Sequence, residues 1–115
     1  MKERELQIAN EFGVTEKLQK LEKELLAIDR VVGIDFDLTD FYNDIPYIIF
    51  LTKYDIPGSL PGDSYWEARS KLKLDVMKVA RDNGLSKTED SVEDYGEHFY
   101  WVFQYDQSWN VRDGA

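Results

Sequence analysis

Asp35 and Asp37 stand one residue apart at the end of an apolar run, and the single histidine, His98, opens the densest aromatic segment of the chain. Carboxylates at that spacing could share a divalent cation, or divide a nucleophile's work from an acid–base role. His98 could give or take a proton near neutral pH with Glu97 or Asp35 beside it. A further acidic group, Glu89, Asp90, Glu93, Asp94 and Glu97, could attract a hard cation. It has neither the glycine nor the oxygen-ligand spacing of a calcium loop, and a charged guard along a strand edge is the simpler account. The serines lie in no nucleophile-elbow sequence, and Gly58, Gly62, Gly84 and Gly96 are spaced as turns rather than as a phosphate-binding loop. The chain has no cysteine. That excludes disulfides, thiolate metal sites and thiol nucleophiles, and it fits a reducing compartment.

The run Val31-Val32-Gly33-Ile34 followed by Asp35-Phe36-Asp37-Leu38-Thr39 resembles the first motif of the haloacid-dehalogenase-like phosphatases, an apolar strand and then Asp-x-Asp-x-Thr. The resemblance implies Asp35 as nucleophile, Asp37 as general acid–base, Mg²⁺ between them and a parallel, Rossmann-like sheet. It is confined to residues 31–39, and Leu38 stands where that family usually has a glycine. A helical pattern precedes the strand, and the chain is too short for the sheet the motif requires. A motif needs its structural context, so the expectation is two aspartates on the wet face of an antiparallel strand, with no catalytic residue, metal or cofactor assigned.

The elements around these residues are legible from periodicity. Residues 2–29 read as helix, with Leu18, Leu21, Leu25 and Ile28 as one stripe. Gly13 marks a break, Thr15 is a candidate cap for the second piece, and Leu6, Ala9 and Phe12 extend the stripe upstream. Val31–Leu38 alternates, with Val32, Ile34, Phe36 and Leu38 expected inside and Gly33, Asp35 and Asp37 outside. Asp40–Asp44 reads as a turn and Pro46–Tyr54 as the second strand of a hairpin. After a Pro/Gly-rich loop, Ser64 and Glu67 match a capping box. Tyr65, Ala68, Leu72, Val76 and Val79 form the buried stripe of the second helix, which Asn83-Gly84 ends, with Leu85 packing back on it. Thr88–Glu93 reads as a weak strand, residues 94–97 as a turn, and His98–Tyr105 as a central strand. In that strand Phe99, Trp101, Phe103 and Tyr105 face one way, and His98, Tyr100, Val102 and Gln104 the other.

The order α-β-β-α-β-β predicts an α+β two-layer sandwich, two helices on one face of a four-stranded, mainly antiparallel sheet. Shifting the chain by 51 residues superposes Lys20 on Lys71, Leu21 on Leu72, Arg30 on Arg81, Gly33 on Gly84, Tyr54 on Tyr105 and Asp55 on Asp106. That pattern suggests an internal duplication. With 115 residues, the expectation is one domain over 1–115, with 1–14 as a separate short helix and 107–115 as a partly flexible tail that Trp109 and Val111 pin down.

Net charge is −9, which argues against direct nucleic-acid binding. The helical segments carry nearly balanced charge, whereas residues 31–65 and 82–115 hold fourteen acids against Lys53, Lys87 and Arg112. No apolar run approaches the roughly 18 residues of a membrane span. The charged first residues resemble no secretory leader, so the expected location is cytoplasmic. By strand parity Tyr47 and Tyr100 join Asp35, Asp37 and His98 on the sheet face away from the helices. An open face of aromatics rimmed by acids is a protein-binding surface more often than an active site. The reading is therefore a non-enzymatic acidic interaction module. It would bind a protein with a basic surface, or itself as a homodimer, through that face. Two other readings are a mimic of nucleic acid that occupies a basic protein groove, and a small enzyme using Asp35, Asp37 and His98.

Overall fold

Gly13 is the first residue the helical pattern cannot absorb, and the chain turns there through φ +71°. The computed structural model describes residues 1–94 and 97–109, apart from the side chains of 89–94. The described residues form three α-helices, with the expected break at Gly13 separating the first two: α1 (Glu3–Glu11) and α2 (Thr15–Leu26) on either side of the turn, and α3 (Gly62–Asp82). The strands are β1 (Val31–Asp37), β2 (Tyr47–Tyr54), β3 (Leu85–Asp94) and β4 (His98–Tyr105). They form one sheet in the order β1-β2-β4-β3, with every neighbouring pair antiparallel. The two-layer α+β architecture is as expected. It has none of the parallel sheet that the phosphatase-like motif implies, and β1 is an edge strand.

Alternation in the two central strands defines the core. Ile48, Phe50 and Thr52 of β2 and Phe99, Trp101 and Phe103 of β4 are buried under the helices. Against them α2 sets Leu18, Leu21 and Leu25, and α3 sets Arg69, Leu72, Val76 and Ala80. The rings of Phe50 and Phe103 stack at 5.6 Å, and those of Trp101 and Phe103 at 5.5 Å. Trp101 Nε1 donates to Thr52 Oγ1 at 2.9 Å, so the one polar atom of the largest core side chain has a partner where an orphan would be costly.

The 51-residue offset is visible in the architecture. β2 and β4 have the same length and start 51 positions apart. Buried Leu18, Leu21 and Leu25 correspond to buried Arg69, Leu72 and Val76, and the Lys20–Glu24 ion pair to Lys71–Asp75. Phe50 and Trp101, equivalent by that offset, are also Cα partners across the β2–β4 seam. An approximate twofold therefore passes between them. The edge strands depart from it: Asp35 opposes Leu51, whereas Ser86 opposes Gln104, two residues beyond the equivalent partner.

Several local expectations are corrected. Val32 is exposed at 64 % and Val31 buried at 9 %, because a bulge between Val31 and Gly33 reverses the parity of β1 at its start. Thr15 does not cap α2; its hydroxyl donates to Asn10 Oδ1 instead. α1 buries Glu5, Ile8 and Ala9 rather than the Leu6–Ala9–Phe12 stripe. Glu5 Oε2 accepts the Leu38 N–H at 2.9 Å, which anchors α1 to the end of β1. The stretch expected as a turn is a 3-10 helix, Thr39–Asn43, with Phe41 buried. α3 starts at Gly62, before the Ser64–Glu67 box, with Pro61 as N-cap and the Tyr65 N–H donating to Pro61 O at 3.0 Å. β3 is longer than Thr88–Glu93 and begins at Leu85, which is buried in the sheet, and its register shifts between Lys87 and Val92. Trp109 is buried and its Nε1 donates to Asn83 O at 2.8 Å, so the chain is held to the body at least to that residue. Tyr95, Gly96 and Val111, and the side chains of the acidic group from Glu89 to Asp94, lie outside the described residues.

Candidate interaction face

The residues of β2 and β4 that do not enter the core line the opposite side of the sheet. Register sets them in rows across the strands: Gly33–Lys53–His98, Asp35–Leu51–Tyr100, Asp37–Ile49–Val102, and Tyr47–Gln104. Every one of these side chains is half-buried or exposed. The buried stripes of α2 and α3 pack on the core side, α2 against β1 and α3 against β3, and Lys2, at the start of α1, reaches the edge of this face at Asp35. Ile49, Leu51 and Val102 form the apolar middle of the face, with Tyr47 and Tyr100 beside them. The expected placement of Tyr47, Tyr100, Asp35, Asp37 and His98 on a single face holds.

On the β1 edge of the face, Asp35 is paired with cations. Lys53 Nζ lies 2.9 Å from Asp35 Oδ2, and Lys2 Nζ 3.8 Å from Oδ1. The hydrogen bond from Lys53, with its charge, holds the Asp35 carboxyl below the usual aspartate range. Gly33 makes that contact available, because a Cβ there would meet Lys53 Cδ at 3.3 Å. Asp37 is exposed and its Oδ1 accepts the Thr39 N–H at 3.0 Å. His98 sits across from Lys53 on β4. With β2 between them, His98 and Asp35 stand roughly 10 Å apart by strand spacing alone.

Chemically, the arrangement offers an apolar and aromatic centre with Asp35 paired to Lys53 and Lys2 along its β1 edge. It does not bring Asp35, Asp37 and His98 within hydrogen-bonding reach of a common point. Among the described residues no group of three or more Asp, Glu or His side chains is placed to hold a metal ion. The described clefts lie on the helix side. One of about 390 Å³ between α2 and the end of α3 is lined by Lys17, Lys20, Arg81, Asn83 and Trp109 among others. The sequence reading missed Leu51 and Lys53 as members of the face, although alternation from Ile49 signals both. It also missed Trp66 and Leu74, exposed at 60 % and 63 % on α3. Comparison with known proteins gives no match to a family model, a curated protein or a solved structure. No helix of the described residues is long and apolar enough to cross a membrane.

Proposed function

We propose that this chain is a non-enzymatic protein-interaction module whose open sheet face receives a protein partner. The observation that carries the reading is the contiguous Ile49–Leu51–Val102 centre, flanked by Tyr47 and Tyr100, with charge confined to its edge. Interfaces share that composition, depleted of charge in the middle and enriched in tyrosine. Paired Asp35 and distant His98 leave acid–base chemistry without a converging site, which favours binding over catalysis. A net charge of −9 steers a basic partner toward the molecule at long range, while the apolar centre supplies the contact.

A photoreactive phenylalanine analogue at Tyr100, and at Gln19 on α2 as control, tests this in cells. The expected outcome is one recurrent adduct with a basic protein from position 100, absent from position 19 and abolished by Leu51→Glu. Equal adducts from both positions, or an adduct that survives Leu51→Glu, would sink the proposal.

A further inference from the structure

Helix α1 has no equivalent in the repeated body. The 51-residue offset carries Glu3–Glu11 onto positions 54–62, which hold the end of β2 and the loop leading into α3. It carries the 3-10 helix Thr39–Asn43 onto positions 90–94, which lie in β3. These two additions meet each other. Arg4 Nη2 donates to Thr39 Oγ1 at 3.0 Å, Glu5 Oε2 accepts the Leu38 N–H at 2.9 Å, and the Tyr42 hydroxyl donates to Glu11 Oε2 at 2.6 Å. The Phe12 ring meets those of Phe41 and Tyr42 edge-on at 5.5 Å and 5.4 Å. Four side chains spread along α1 and its C-cap therefore converge on residues 38–42.

The helix depends on being docked. It is nine residues long and no side chain caps its start, whereas isolated helices shorter than about 12–15 residues are marginal in water. It buries two apolar side chains, Ile8 and Ala9, beside Glu5. At its join to α2, Gly13 has open space around the Cβ position, so no side chain packs over the joint there. Segments with little buried apolar surface open at lower free energy than the core. One further tie holds the start of the chain, the Met1 ammonium 3.0 Å from Glu22 Oε2 on α2.

We propose that α1 and residues 38–42 form a latch that opens as one unit while the sheet, α2 and α3 stay folded, and that its state sets the charge at the β1 edge of the sheet face. The closed form dominates, and the open form is a minor excursion. Lys2 lies 3.8 Å from Asp35 Oδ1, and the Thr39 N–H donates to Asp37 Oδ1 at 3.0 Å. Opening withdraws a cation from Asp35 and a donor from Asp37, which leaves that edge more negative and better matched to a basic partner. By linkage, such a partner on the face favours the open latch in equal measure. That consequence rests on the sheet face being the binding surface; the opening itself does not.

Amide hydrogen exchange followed by NMR on the chain alone reads the opening. The amides of residues 7–11 and of Leu38 are expected to share one protection factor, roughly tenfold or more below that of β2 and β4. Glu5→Ala should lower it across α1 by about tenfold, the effect of losing a charged hydrogen bond, and leave β2 and β4 unchanged. Tyr42→Phe keeps the acceptor of the Leu38 N–H, yet should lower protection at Leu38 and along α1 together. Asp35→Asn, which removes the partner of Lys2, should lower it about twofold to threefold, whereas Leu51→Glu should not. Protection of α1 equal to that of the central strands overturns the latch, and so does a Leu38 amide that stays with the strands while α1 exchanges faster. No change in Asp35→Asn would overturn the link to the face. The cross-link from position 100 is a separate readout, so failure of the latch and failure of the binding face are told apart.

Discussion

Lys53 governs how Asp35 behaves. Its ammonium holds that carboxyl below the ordinary aspartate value, with Lys2 adding to the effect. A carboxyl lowered in the folded state adds stability above its unfolded value, and that contribution disappears as pH falls through the folded one. Glu24 and Asp106 are lowered as well, chiefly by hydrogen bonds from Lys20 and Ser108 respectively. Stability linked to these groups is therefore complete above about pH 5 and declines below about pH 4. In a ¹³C titration followed by NMR, Asp35 should ionise below the ordinary aspartate range in the wild type and move upward in Lys53→Met. An unchanged midpoint would mean that the ion pair is not formed in solution. Methionine keeps the aliphatic cover over Gly33 and removes only the charge, so the same variant should alter partner binding at the rim without disturbing the core.

At the scale of elements, two glycines end helices in the left-handed region but differ in their surroundings. Gly13 at φ +71° has open space where a Cβ would go, whereas at Gly84, φ +77°, a Cβ would meet Asp106 Oδ1 and Ser108 Oγ at 2.7 Å. Gly13→Ala should cost about 1–2 kcal/mol from the backbone alone. Gly84→Ala should cost roughly twice that, since overpacking adds to the backbone strain. Thermal or urea unfolding of the two variants checks the difference, and equal losses would mean that the turn after β4 yields freely. Both stops were legible in sequence, since few residues other than glycine take that conformation. The start of α3 was not: a capping box is a local preference, and Pro61 offered its carbonyl three residues earlier. Nor was the bulge at Val32, because alternation read from side chains alone carries no record of an extra residue in the pairing. Glu5 escaped for a related reason, as its partner is a backbone N–H thirty-three positions away.

For the whole molecule, the order of elements and the face shared by Tyr47, Tyr100, Asp35, Asp37 and His98 followed from periodicity. The pairing of Asp35 with Lys53 did not, because it depends on strand register. Charge still acts globally. At −9 the folded chain repels itself, so raising salt from about 10 mM to about 150 mM should raise the melting temperature by a few degrees. A fall in melting temperature would mean that the individual ion pairs outweigh that repulsion. The β2–β4 seam has its own consequence, for how the chain reaches this state. Each hairpin closes over a short loop, but seam partners such as Lys53 with His98 and Tyr47 with Gln104 lie 45 and 57 positions apart. Neither half can complete its inner layer before the other arrives, because Phe50 and Trp101 meet only across that line. Closing the longer loop costs only about 0.6 kcal/mol more per doubling of length. The seam should therefore wait on the other half being ordered more than on distance along the chain, and unfolding followed by two different probes is expected to show a single coincident transition.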